Sequence, residues 1–158
     1  MKHSLCLLFA LIALPAWSVD MTPSEPPEAA APVDRLAGAR GHVKARRWPE
    51  ALAELKRVND SGNADWNNLM GYVLRKQATP DLAGAERAYD AALRIAPAHR
   101  GALEYSGELY LMKGDLPKAE QRAAQLAKAC ASACEEYADL KKAVDRYKAA
   151  GNKFVAAP

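Results

Sequence analysis

Cys130 and Cys134 have the residue type and spacing best suited to chemistry in this chain. Two cysteines four residues apart admit three uses. They can close a disulfide, act as a redox pair, or hold a metal. A disulfide requires the two Cα atoms to lie within about 7 Å, which a continuous helix meets only marginally. The bridge closes more easily if one helix ends near Cys130 and another starts after Ser132. It would then staple the corner between the two helices. A redox role has Cys134 in its favour, because a helix N-terminus lowers a thiol pKa. A metal site lacks ligands: two cysteines fill half a tetrahedral shell, and no histidine lies nearby in sequence. His42 and His99 are isolated and read as solvated surface residues. Glu135 and Glu136 are adjacent and diverge on a helix, so they cannot flank one substrate bond. No ordered Ser/His/Asp set, phosphate-binding glycine loop or HExxH is found. Gly38-Ala39-Arg40-Gly41 is a weak glycine cluster inside a helical stretch. The chain reads as a protein without enzymatic activity or cofactor.

The compartment decides among the cysteine readings. Residues 1–18 have the form of a Sec-type signal peptide. Met1-Lys2-His3-Ser4 is a short basic start, and Leu5 to Leu14 is an apolar run of ten. Such a run is too short to span a bilayer as a mature helix. Pro15 breaks it, and Ala16-Trp17-Ser18 puts small residues at the cleavage site, so the mature chain is expected to begin at Val19. Cys6 precedes the apolar run, which argues against a lipoprotein. Removing the leader leaves Cys130 and Cys134 as the only cysteines, an even count in an exported protein, and this favours a disulfide. The expected location is the periplasm, with secretion as the lesser alternative. No second long apolar stretch follows, so no integral membrane segment is expected after cleavage.

The formal net charge is +3, and +2 without Lys2. That is too small to argue for a nucleic-acid or anionic-membrane partner. Residues 19–32 hold four prolines and few bulky apolar side chains, and read as a tether without its own core.

The elements that must position everything else are repeats. Ala51, Ala85 and Ala119 stand 34 residues apart, and their surroundings repeat with them. Trp48, Leu82 and Leu116 precede them by three residues; Leu55, Tyr89 and Ala123 follow by four. Val58, Ala92 and Leu126 follow by seven. A period in this range marks a stack of units, each burying its apolar face against its neighbours. The first pair of helices is expected over 35–46 and 50–58, with Asp34 as cap; the second is expected to start at Asp65 or Asn63 and run through Lys76, followed by 82–95. The third spans 100–113 and 117–129. Gly71 to Ala85 is 14 residues, whereas Gly107 to Ala119 is 12. The turn Gln77–Asp81 should therefore be two residues longer than usual, and the link before Trp66 two shorter. A seventh helix is expected over about 133–150. Ser132 to Glu135 has the form of a capping box. Tyr137, Leu140, Val144 and Tyr147 form its apolar stripe, Lys141, Lys142, Asp145 and Arg146 face water, and Gly151 ends it.

The units resemble tetratricopeptide repeats. Leu103, Gly107, Tyr110, Gly114-Asp115 and Ala119 match the family's spacing, as do Trp66, Leu69, Gly71, Tyr72, Ala85, Tyr89, Ala92 and Pro97. The first unit is degenerate, with Ala39 where the family usually has glycine. The resemblance covers about Val33 to Leu126. It implies an all-α, right-handed α-solenoid of three helical hairpins (about 33–62, 63–97 and 98–130) plus a capping helix, forming one domain over 33–150.

It also implies that the first helix of each repeat lines a concave groove. That places Arg40, Lys44 and Arg47 there from the first unit. The second contributes Asn68, Tyr72, Arg75 and Lys76, and the third Glu104, Glu108, Leu111 and Met112. Tyr72, Leu111 and Met112 are the informative members, since apolar groups on a groove wall need a partner to cover them; burial against the closing helix is the other use for them. The lysine, asparagine and arginine set that clamps a peptide carboxylate in some family members is not recognisable at Leu36, Arg40, Gly101 and Tyr105. The expected function is that of a binding scaffold holding an unidentified protein or peptide of the cell envelope. Self-association through the repeat faces is a further expectation. The alternative is a thiol-redox or metal-handling protein built on Cys130 and Cys134.

Overall fold

The computed structural model describes residues 33–131 and 134–156. The expected leader, its cleavage site, the proline-rich tether and Ser132 of the expected capping box lie outside the described residues. Seven helices and no strand are found among those described. They are α1 (Ala37–Lys44), α2 (Trp48–Val58), α3 (Ala64–Lys76), α4 (Leu82–Ile95), α5 (Arg100–Met112), α6 (Leu116–Ala129) and α7 (Glu135–Ala149).

Side-chain chemistry sets most of the helix starts. Asn63, Asp81 and Asp115 accept hydrogen bonds from the backbone N–H of Trp66, Gly84 and Lys118. Each satisfies a donor that the first helical turn leaves open. Pro49 and Pro117 occupy first-turn positions, where a missing N–H costs nothing. Two starts differ from expectation. Asp34 accepts from Leu36 N–H at 3.0 Å, but it caps a turn, and the helix begins only at Ala37. Glu135 is the first residue of α7, with Cys134 as the N-cap, so it cannot serve as the third residue of a capping box.

The period survives in the packing. Helices α2, α4 and α6 begin at Trp48, Leu82 and Leu116, and Ala51, Ala85 and Ala119 are completely buried. Each α2n–1/α2n pair is joined by a short link, and α3 also packs on α5, as α5 does on α7. The link 77–81 is two residues longer than 113–115, as the glycine-to-alanine spacing requires. The compensating loss falls inside a helix rather than in a link. α2 stops at Val58, three residues short of the position at which α4 and α6 end, because Asn59 turns into the left-handed conformation with φ 47°.

Two glycines permit close approach. A Cβ on Gly71 would lie 2.7 Å from the Tyr89 ring, and one on Gly107 would lie 2.6 Å from Leu140. The second contact seats α7. Leu140, Ala143, Val144 and Tyr147 are buried in one cluster with Leu103, Leu111, Ala119 and Leu126. α7 thus covers an apolar face of α5 and α6 that would otherwise meet water. Each fully buried leucine contributes about 1.5–3 kcal/mol.

Candidate binding groove

An aromatic row runs across α2, α3 and α5. The Tyr72 ring on α3 meets Trp48 edge-on, with centroids 6.0 Å apart, and Tyr105 on α5 at 4.8 Å. All three residues are half-buried. Cations sit over the row: the Arg75 guanidinium lies 5.6 Å from the Tyr72 centroid and 5.7 Å from that of Tyr105, and Lys76 Nζ lies 5.5 Å from Tyr72. Such geometry is attractive because the ring faces are negative. Sequence reasoning singled out Tyr72 alone. Trp48 was a repeat position, and Tyr105 lies one turn off the register in which Tyr72 aligns with Glu108. No periodic signal could have joined the three.

Several groove residues serve other purposes than a free wall. Arg75 is only 4% exposed, and its Nη1 is 2.6 Å from Glu108 Oε2, so α3 and α5 are tied by a buried ion pair. Its Nε and Nη2 have no hydrogen-bond partner of normal geometry, nor does the buried hydroxyl of Tyr89 beside it. Arg75 nevertheless acts on Tyr89's ionisation, while burial pushes the Tyr89 phenol well above its ordinary range. Glu104 is also buried, and its pKa is pushed up to about 8. Burial is the largest cause; the charges of Glu108, Asp139 and Glu136 add to it, and Arg75 opposes it. Leu111 is 1% exposed and belongs to the core against α7, the use other than a groove wall.

The expected N-terminal cations are not equally free. Arg40 is half-exposed and engaged by two acids, Asp34 Oδ2 at 2.6 Å and Asp65 Oδ2 at 3.2 Å. Lys44 and Arg47 are exposed, with no ion-pair partner among the described residues. Asn68 is half-buried against Gly101 of α5, and its Oδ1 is without a hydrogen-bond partner. The expected cations left without an ion-pair partner among the described residues are therefore Lys44, Arg47 and Lys76. Burial lowers the Lys76 pKa, and the neighbouring Arg75 charge adds to that.

Beside Lys76 lies a cleft of about 190 Å³ between α3, α5 and α7. Met112, Tyr147 and Arg146 line it, together with Phe154 and Val155 from the segment after α7. Arg146 thus differs from its expected solvated position: it faces the cleft, and its Nε is buried without a partner. The sequence pattern misplaced it because a helix stripe shows which face is apolar, not what folds back over the polar edge.

The histidines are also less free than expected. His99 Nδ1 accepts from Ala102 N–H at 3.1 Å, capping α5, while Nε2 lies 2.9 Å from Asp65 Oδ1. His42 is half-buried, with Nδ1 unpartnered. Cys130 and Cys134 are joined by a disulfide, with Cα atoms 5.8 Å apart, between the C-cap of α6 and the N-cap of α7. Among the described residues no group of three or more His, Cys, Asp or Glu could hold a metal ion. None of the described helices is long and apolar enough to cross a membrane. Compared with known proteins, the chain matches no family model and no curated protein.

Proposed function

We propose that this chain is a non-enzymatic binding scaffold of the bacterial cell envelope that holds a protein or peptide segment in a concave groove. In this reading the helices form a right-handed α-solenoid of three tetratricopeptide-type hairpins closed by α7. A signal peptide exports the chain to the periplasm. The observation that carries the reading is the half-buried aromatic row Trp48–Tyr72–Tyr105. Rings that remain partly open on a rigid helical wall offer apolar area at low conformational cost. The exposed cations Lys44, Arg47 and Lys76 would steer an acidic segment toward it and set its orientation.

The test is capture from periplasmic extract by the immobilised mature chain, identified by mass spectrometry and compared with Tyr72→Ala and Met112→Ala. Both substitutions should speed dissociation of the specific partner. Unchanged capture by well-folded variants moves the site away from the groove.

The second reading, a thiol-active or metal-handling protein, draws support from the position of Cys134 at the N-cap of α7. A reduction potential separates the two. A structural bridge should lie below about −300 mV, whereas a working redox pair lies above it.

A further inference from the structure

The segment after α7 folds back on the groove. Gly151 and Asn152 both take positive φ, 68° and 62°. Their N–H groups donate to Lys148 O and Tyr147 O, which reverses the chain at the end of the helix. Phe154, Val155 and Ala156 then form one wall of the cleft whose other walls include Lys76, Met112 and Arg146.

Three features mark this wall as an occupant rather than a part of the core. First, Phe154 and Val155 remain 43% and 49% exposed, while Tyr147 beneath them is 4% exposed. Second, among the described residues no hydrogen bond ties 153–156 to the helices; the last one belongs to Asn152. Third, its charge is wrong. The cleft is lined by Arg75, Lys76 and Arg146 against one acid, Glu108, which is already paired with Arg75; Arg146 Nε is buried without a partner, whereas the segment brings Lys153 and no acid over 151–156. A buried donor without an acceptor favours any ligand that supplies one.

We propose that the cleft between α3, α5 and α7 is a seat for an extended apolar peptide segment bearing a carboxylate, and that residues 153–156 are its resident competitor. This rests on the groove reading above and adds the class of ligand and the element that gates it. The short tether from α7 gives the resident segment a local concentration in the millimolar range, so weak contacts suffice to keep it in place. A ligand with the complementary charge displaces it, pairing with Arg146 and Lys76 where Lys153 cannot.

The test uses two fluorescein-labelled, C-terminally amidated peptides, one with the sequence of residues 152–158 and the same peptide with Lys153→Glu. Their binding is read by anisotropy against the mature chain and against a chain ending at Asn152. The shortened chain should bind both, the Lys153→Glu peptide more tightly. The intact chain should bind each about tenfold more weakly if its own segment fills the cleft nine-tenths of the time. Arg146→Ala in the shortened chain should abolish the preference for the acidic peptide. Should the shortened chain lose its helical circular dichroism, Phe154→Ser with Val155→Ser in the full chain replaces it, removing the apolar anchors without adding charge, with the same expected gain. Equal binding by intact and opened chains, or no binding by either, overturns the proposal. The two readings also fail separately. A periplasmic partner that Tyr72→Ala releases but that intact and shortened chains hold equally leaves the groove standing and removes the competitor.

Discussion

The two ends of the molecule are built differently. At the N-terminal end, α1 is 8 residues long, buries only Ala39, and begins without a side-chain cap. Its polar contacts are surface ion pairs such as Arg40–Asp34. At the other end α5 buries eight residues, two of them polar, and α7 closes over them. A buried ion pair, a disulfide and a covered cleft all lie in that half. Charge near the first end costs little and can be spent on steering. Near the second, the Arg75–Glu108 pair ties α3 to α5, and Lys76 and Arg146 line the cleft.

The sharpest break in this contrast is Arg75→Ala against Arg40→Ala. Loss of Arg75 leaves Glu108 without its partner in a largely buried place, so unfolding free energy should fall by about 3 kcal/mol or more. Loss of the exposed Arg40 should cost under about 1 kcal/mol. Urea denaturation followed by circular dichroism measures both; similar small costs would remove the distinction between the ends.

Glycines give the next largest effect. Gly107→Val must push Leu140 and lift α7, which should cost about 1–3 kcal/mol. Gly41→Ala in α1 meets nothing within 4 Å. Because alanine is the better helix former, it should instead stabilise by about 0.5–1 kcal/mol. Opposite shifts in melting temperature are expected.

Glu104 sharpens the comparison through pH. Its folded pKa, about 8, is raised from an ordinary value of 4.5. The folded state thus binds the proton more tightly than the unfolded one, and stability declines as pH rises through that window. Glu104→Gln cannot ionise, so it should exceed the parent in stability by roughly 1–2 kcal/mol near pH 9, with the difference vanishing at about pH 4. A constant difference across pH would show that Glu104 titrates normally.

The disulfide should have the smallest effect. It closes a loop of only a few residues, so Cys130→Ser with Cys134→Ser should cost about 1–2 kcal/mol and leave binding in the groove unchanged. Thiol titration of freshly isolated mature protein should find no free thiol. Two reactive thiols would return the redox reading.

Much of the fold was legible because helix-forming information is local. The 34-residue alanine period placed α2, α4 and α6. The short α2 escaped because a left-handed Asn59 is one solution among several to a fixed spacing. The site was less legible. Position on an exposed-looking helix face put Arg75, Glu104 and Leu111 beside Lys76 and Met112, yet the first three are buried and the last two are not. The difference arises from what lies opposite each one, and that is contributed by residues about 30 positions away.

Periodicity and the small residues at 51, 71, 85, 107 and 119 were thus enough to specify seven helices and the apolar stripes of α2, α4, α6 and α7. These are properties of one helix and its immediate turns, and sequence carries them directly. The Arg75–Glu108 pair, the tilted contact of Tyr105 with Tyr72, and the seating of Phe154–Ala156 against Arg146 were decided only when the helices met. Each joins elements whose separation in the chain says nothing about their separation in space. The energy of each depends on desolvation, which no single segment possesses until its neighbours have excluded the water.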